Sequence, residues 1–281
     1  MIKSKEVSLK EAQNIMLKIL IEFDRVCREN NLKYFLDWGT LLGAVRHKGF
    51  IPWDDDVDVS MPRVDFEKLK SLHNKFNEDY FLQTPETDNH YKYYYIPMKI
   101  RYSKSRYVEV VEKGDEKFNN GIYIDVFPLD KLPKGKINYK LQNIYKYIME
   151  RSPIIYIGYK NLSLRRKIIY PLVYLFINIL SITVRKRIED FFIYKCKSYD
   201  NIYWSGIDLC FKQKYRKEDI FPLNEIEYEG IKFMGPNNPD SILKSMYGEY
   251  MILPPENQRI RHSKKIEVFY NSEEGLDYNH V

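Results

Sequence analysis

YFLDWGTLLGAVRHKGFIPWDDDVDVSMPR, residues 34–63, carries the densest chemistry in the chain and decides how its first half is read. An apolar run, residues 33–38, reads as a short strand that breaks at Gly39-Thr40 and passes into a short helix over residues 41–47. Residues 56–60 (DVDVS) alternate at period two, the mark of a strand with two unlike faces, and Pro62 opens a further helix to about residue 76. Asp54, Asp55, Asp56 and Asp58 crowd four carboxylates into five positions, which raises their proton affinity unless a cation neutralises them. On such a strand Asp56 and Asp58 share a face while Val57 and Val59 pack on the other, so two hard oxygen donors converge and point to Mg²⁺ or Mn²⁺. A solvated acidic loop is the plain alternative. An EF-hand is excluded, because Val59 stands where the loop needs Gly, Asp65 where it needs Glu, and Pro62 intervenes.

Working outward, Ser8 and Glu11 form a capping box, followed by Ile15, Ile19, Leu20, Phe23, Val26 and Cys27 at helical spacing to about Glu29. Strands are expected over residues 94–102, 107–111 and 121–127. The last places Asp125 inside an apolar run, where an unpaired charge is costly. A metal shared with Asp56 and Asp58, or a buried pair with Lys or Arg, would each supply the partner, and both are open. Gly39-Thr40 at a helix start offers N–H groups and a positive dipole end to a phosphate, with Arg46, His47 and Lys48 adding positive charge beyond it. Lys99 is a further candidate for phosphate contact, with ordinary surface charge as the alternative for each cation.

These elements make residues 1–133 a mixed strand-and-helix core, residues 134–202 a mainly helical insert, and residues 203–281 a C-terminal part of short strands and one helix that folds back on the core. The insert contains the most apolar run, residues 168–184 (IIYPLVYLFINILSITV), bracketed by Arg165-Arg166-Lys167 and Arg185-Lys186-Arg187. As a helix it spans about 26 Å, short of the roughly 30 Å hydrocarbon core. A buried core helix and a helix lying in a membrane interface both fit better than a true span.

The 281 residues hold 45 Lys plus Arg against 39 Asp plus Glu, a net +6 without the clustered basic face of a dedicated nucleic-acid binder, so no nucleic-acid partner is expected. Gly and Pro are ordinary and no short period repeats, which excludes collagen-like and solenoid chains. Cys27, Cys196 and Cys210 lie far apart with no CxxC, arguing against disulfides and zinc, and the polar N-terminus shows no secretory signal. A cytoplasmic protein, at most resting on the inner face of the membrane, is the expectation.

Gly39-Thr40, then Asp56-Val57-Asp58-Val59, then Ile124-Asp125-Val126 resemble the hG[GS], Dh[DE]h, h[DE]h signature of the nucleotidyltransferase (polymerase β-type) superfamily. Thr replaces the usual Gly or Ser, and the gap from Thr40 to Asp56 is longer than that signature normally has. Residues 34–63 as a block, with GIYIDVFPLD (121–130), YEGIKFMGPNNPDSILKSMYGEYMILPP (228–255) and the closing Arg259 and His262, resemble the LicD family in the same order, over about half the chain. The resemblance implies an α+β fold with a nucleotidyltransferase-like mixed sheet and an inserted helical region. It implies that Asp56, Asp58 and Asp125 hold one or two Mg²⁺ ions on the diphosphate of CDP-choline or another CDP-alcohol, cradled by Gly39 and Thr40. Phosphocholine or a related group would pass to a glycan or lipid-linked glycan acceptor, releasing CMP. Asp125 is the first candidate for the base and Asp55 the second; Asp54, Trp53, Arg259 and His262 are candidates for substrate contact. For a choline headgroup, Trp38, Trp53 or residues 91–95 offer aromatic faces. A nucleotidyltransferase acting on a sugar, antibiotic or RNA end, and a non-enzymatic protein resting on a membrane, are the rival readings.

Overall fold

The computed structural model describes residues 2–91, 96–110, 112, 117–151, 164, 167, 168, 171, 172, 175, 182–209 and 212–271. In chain order these form β1 (Ile2–Glu6), α1 (Leu9–Glu29), β2 (Phe35–Leu36), α2 (Trp38–His47), β3 (Asp58–Pro62), α3 (Arg63–Lys70), β4 (Tyr80–Gln83), β5 (Met98–Tyr102), β6 (Ser105–Glu109) and β7 (Tyr123–Pro133). There follow α4 (Lys136–Arg151), α5 (Ile182–Asp190), β8 (Ser198–Ser205), β9 (Lys214–Arg216), β10 (Asn224–Tyr228), β11 (Ile231–Gly235), α6 (Pro239–Tyr247) and β12 (Ser263–Asn271). The mixed architecture expected from the sequence is present.

The central sheet runs β2-β3-β7-β5-β4, with β8 added to the far end of β7 and β9 to β8. β3 and β7 are parallel and the other pairs antiparallel. β7 can serve two neighbours on one flank because it is eleven residues long: its first half pairs with β5 and its second with β8. Alternation divides its faces. Val57, Val59 and Met61 join Ile122, Ile124 and Val126 in one core with Met16, Ile19, Leu20 and Phe23 of α1. Leu129 faces a second core with Leu41 and Leu42 of α2 and Ile242 and Leu243 of α6. Asp58, Ser60, Asp125 and Phe127 are thereby turned to the side opposite α1, by the period of two that separates them from their apolar neighbours.

α1 starts at the expected capping box, with Ser8 and Glu11 satisfying each other's backbone N–H. Other boundaries differ from expectation. The helix after Gly39 begins at Trp38, so Gly39 and Thr40 lie inside its first turn, because the Asp37 side chain caps it one residue earlier. The strand expected at Asp56 begins at Asp58, and residues 54–57 precede it outside any regular element. The helix after Pro62 ends at Lys70, and the strand expected over residues 94–102 starts at Met98, with 92–95 outside the described residues. β1 and β12, neither expected, pair with each other, and β12 also pairs with β6. Most of the apolar run at 168–184 lies outside the described residues. Among those described, no helix is long and apolar enough to cross a membrane.

Candidate functional site

The parallel register of β3 and β7 sets Asp58 directly beside Asp125, and the ladder continues one residue back, where the Asp125 N–H donates to the Val57 carbonyl at 2.7 Å. Against them stands the first turn of α2. Asp37 caps it, accepting the Trp38 N–H at 2.9 Å while the Ser60 and Tyr215 hydroxyls donate to its other oxygen. Thr40 Oγ1 accepts the Asp58 N–H at 2.8 Å, which pins the start of β3 to the helix. A Cβ on Gly39 would fall 2.8 Å from Asp54 Oδ2 and 3.8 Å from Asp58 Oδ2, so glycine is what lets these carboxylates stand against the unsatisfied N–H groups of the helix end. Trp38, at φ 45°, is in the left-handed region that a bulky residue rarely adopts.

Burial dominates the electrostatics. It pushes Asp54 up to about 8, helped by the Asp56 and Asp55 carboxylates nearby. Asp58 is raised well above the usual range by burial and then by Asp56, Asp125, Asp54 and Asp37. Asp56 is raised by burial, tempered by His262. Asp125 rises only to about 6, because Lys99 offsets part of its burial. The Lys99 ammonium is 2.9 Å from Asp125 Oδ1 and 3.6 Å from Glu109 Oε1, and 3.3 Å from the centre of the Tyr123 ring. Of the two partners open for Asp125, the structure therefore displays the buried pair with Lys.

Lys99 is thus inside the cluster, joined to a carboxylate. Asp55 is not available as expected: it is fully buried, and its two oxygens accept the backbone N–H groups of His262 and Ser263, at 2.9 and 2.7 Å. That places a hydrogen-bonded anchor where a second candidate base was expected. The expected Asp56–Asp58 strand face is likewise replaced by an Asp56 that shares a hydrogen bond with Asp54, ahead of the strand. Among the described residues, no three His, Cys, Asp or Glu side chains are gathered closely enough to enclose a metal ion as they stand. Asp125 is drawn to Lys99 and Asp55 to β12.

His262 and Arg259 do reach the cluster's edge. His262 Nε2 lies 3.7 Å from Asp56 Oδ2, and the Arg259 guanidinium stacks 4.4 Å from the Trp53 ring centre, with His47 edge-on to the same ring. Arg46 donates to the Tyr250 carbonyl at 2.7 Å and to His47, so it is engaged at the C-terminal end of α2, the end opposite Gly39. Lys48 is the exposed left-handed C-cap of that helix. Of the aromatic candidates, Trp38 stands 6.4 Å from Phe127, Trp53 carries Arg259, and Tyr91 is core, its hydroxyl donating to the Ile96 carbonyl. Three contributors escaped the sequence reading. Asp37 had a signal, an acid just ahead of a helix start; Glu109 and Tyr123, which frame Lys99, had none, since only strand pairing brings them together.

The family model described as LicD/FKTN/FKRP, nucleotidyltransferase domain, matches residues 31–175, from just before β2 past the end of α4. The lipopolysaccharide cholinephosphotransferase LicD of Haemophilus influenzae is 30% identical over 271 residues, 92% of this chain and 97% of that protein. The uncharacterised protein RP689 of Rickettsia prowazekii is 31% identical over 133 residues, 47% of this chain and 45% of its own. The uncharacterised RT0683 of Rickettsia typhi is 29% identical over 150 residues, 52% of this chain and 45% of its own. Matched by the family model over half its length and by a relative over nearly all of it, the chain belongs to the LicD family.

Proposed function

We propose that this chain, built on a nucleotidyltransferase-type sheet, moves phosphocholine or a related phosphoryl-alcohol from a CDP-alcohol to a hydroxyl of a cell-surface glycan or its lipid-linked precursor, releasing CMP. The near full-length similarity to a lipopolysaccharide cholinephosphotransferase carries this reading. In the reaction the acceptor oxygen bonds to the alcohol-bearing phosphorus, the bond from that phosphorus to CMP breaks, and the hydroxyl proton passes to a carboxylate. Asp125 suits that last role, since a group raised to about 6 is ionised at neutral pH yet basic enough to take a proton. Lys99 holds it in place through their ion pair.

The donor set suits Mg²⁺ or Mn²⁺: Asp56, Asp58 and Asp125 offer hard oxygens, and burial raises the proton affinity of each, a cost that a bound cation would offset. These three residues would hold the ion. When bound it supplies neutralisation of charge on the attacking and leaving oxygens. The first turn of α2, with Gly39 bare of a side chain, turns N–H groups toward an anionic diphosphate. Arg259 and Trp53 at the rim give a cation and a flat ring, suited to a nucleotide.

The test incubates the purified protein with Mg²⁺, a panel of CDP-alcohols, CTP and candidate acceptors, following CMP and pyrophosphate beside Asp58→Asn. CMP release from a CDP-alcohol, reduced at least about a hundredfold in the variant, is expected. Pyrophosphate release from CTP would assign the chain to the nucleotidyltransferase reading instead. A melting temperature unmoved by cytidine nucleotides with Mg²⁺ would count against any nucleotide site.

A further inference from the structure

The helix α4 is amphipathic the wrong way round for a surface helix. It buries Gln142, Tyr145 and Lys146, the Lys146 ammonium donating to the Ser205 and Gly206 carbonyls at 2.6 and 2.9 Å. Ile137, Leu141 and Ile144, at the i, i+4, i+7 spacing of one helical face, are left 46–75% exposed. A helix packed on a core ordinarily turns its apolar stripe inward. The same pattern returns farther along: Leu164, Ile168, Leu172 and Leu175, all helical and spaced i, i+4, i+8, i+11, are 59–79% exposed. Lys136 and Lys140, both exposed, sit beside Ile137 and Leu141 in the sequence.

Charge is segregated in the same part of the chain. Residues 134–187 contain twelve Lys and Arg and a single acidic residue, Glu150, a net +11, so the remainder carries −5 of the chain's total +6. Exposed aliphatic side chains among basic residues are what an anionic lipid surface binds, the apolar groups entering the headgroup boundary and the lysines remaining at it. A polyanionic glycan would use the charge and leave the aliphatic stripe in water. A second copy would bring two +11 segments together, which like-charge repulsion opposes. Among the described residues, no helix is long and apolar enough to cross the bilayer.

We infer that α4 and the exposed side chains of Leu164, Ile168, Leu172 and Leu175 form a docking surface for an anionic membrane, which holds the protein at the bilayer independently of its catalytic site. The test floats the full chain with vesicles of phosphatidylcholine alone and of phosphatidylcholine with about one-third phosphatidylglycerol, at low and high salt. Binding to the anionic vesicles, weakened by salt, is expected. Combining Ile137→Ser, Leu141→Ser and Ile144→Ser should weaken it by about tenfold or more, and the pair Lys136→Glu and Lys140→Glu should weaken it similarly. Melting temperature and oligomeric state should match the parent, because the altered side chains are exposed. Absence of binding to anionic vesicles, equal binding by the variants, a drop in melting temperature showing that the stripe is packed within the fold, or a solution dimer that the serine variant splits would each overturn the inference. No nucleotide or acceptor enters the assay, so its failure leaves the transferase reading intact.

Discussion

Gly39 shows how much a single missing methyl group can decide. Alanine is the better helix former by about 0.5–1 kcal/mol, so on helix propensity alone the first turn of α2 should favour it. The added Cβ would stand 2.8 Å from Asp54 Oδ2, closer than van der Waals contact allows, so the Asp54 carboxylate must shift from its place in the cluster. Gly39→Ala should therefore leave the melting temperature within about 2 °C of the parent while lowering turnover by about tenfold or more. The site would be disturbed and the fold would not. Parent-like turnover in steady-state kinetics would show that nothing binds against this face of the helix. Asp58 and Asp125 were legible in the sequence as acids in apolar strands, whereas the strand reading of Asp56 and the Gly-Thr break before the helix each missed an element boundary by two or three residues. The Lys99–Glu109–Tyr123 frame was not legible, since a lysine in a strand looks the same in sequence whether it meets solvent or a buried carboxylate across the sheet.

At the scale of elements, the strands with strong period-two patterns and the helices with caps were readable, and those that depend on a distant partner were not. β1 (IKSKE) and β12 (SKKIEVFYN) are lysine-rich at their starts and take their strand form from each other across the length of the chain. What fixes β12 at its start is Asp55, which the sequence presents as one more acid in a run. Its oxygens hold the N–H groups of His262 and Ser263 along with the Ser263 hydroxyl, and Tyr107 of β6 donates to its carbonyl at 3.0 Å. Removing the carboxylate leaves those donors without acceptors, each costing about 1–3 kcal/mol where buried. Asp55→Ala should accordingly lower stability by about 2–4 kcal/mol and speed amide exchange over residues 263–268. Exchange in β12 unchanged from the parent would mean the strand is held by its ladder alone, and that the anchor does not couple the rim residues Arg259 and His262 to the acidic cluster.

The whole molecule carries the cost of this cluster as a dependence on pH. Asp54 is raised to about 8, Asp37 and Asp125 to about 6, with Asp56 and Asp58 raised as well, all chiefly by burial. In the unfolded chain each would titrate near the ordinary 3.8. Between those limits the folded state holds more protons than the unfolded one, so its stability must fall as pH rises through this range, in which Asp54 ionises at about 8. The chain should melt at a higher temperature at pH 6 than at pH 8 when no divalent ion is present. Mg²⁺ competes with the protons, so its addition should raise the melting temperature more at pH 8 than at pH 6 and release protons to the solvent. Asp54→Asn, which removes a buried carboxyl raised to about 8, should flatten the pH slope and stabilise the metal-free protein by several degrees, at about 2–4 °C per kcal/mol. A fold that is less stable than its sequence allows, and recovers when a cation binds, has kept its charges for binding. Differential scanning calorimetry across pH 6 to 8, with and without Mg²⁺, decides the matter: a melting temperature that holds level or climbs with pH in the metal-free protein would show that these carboxylates are neutralised within the chain and have no charge left to offer an ion.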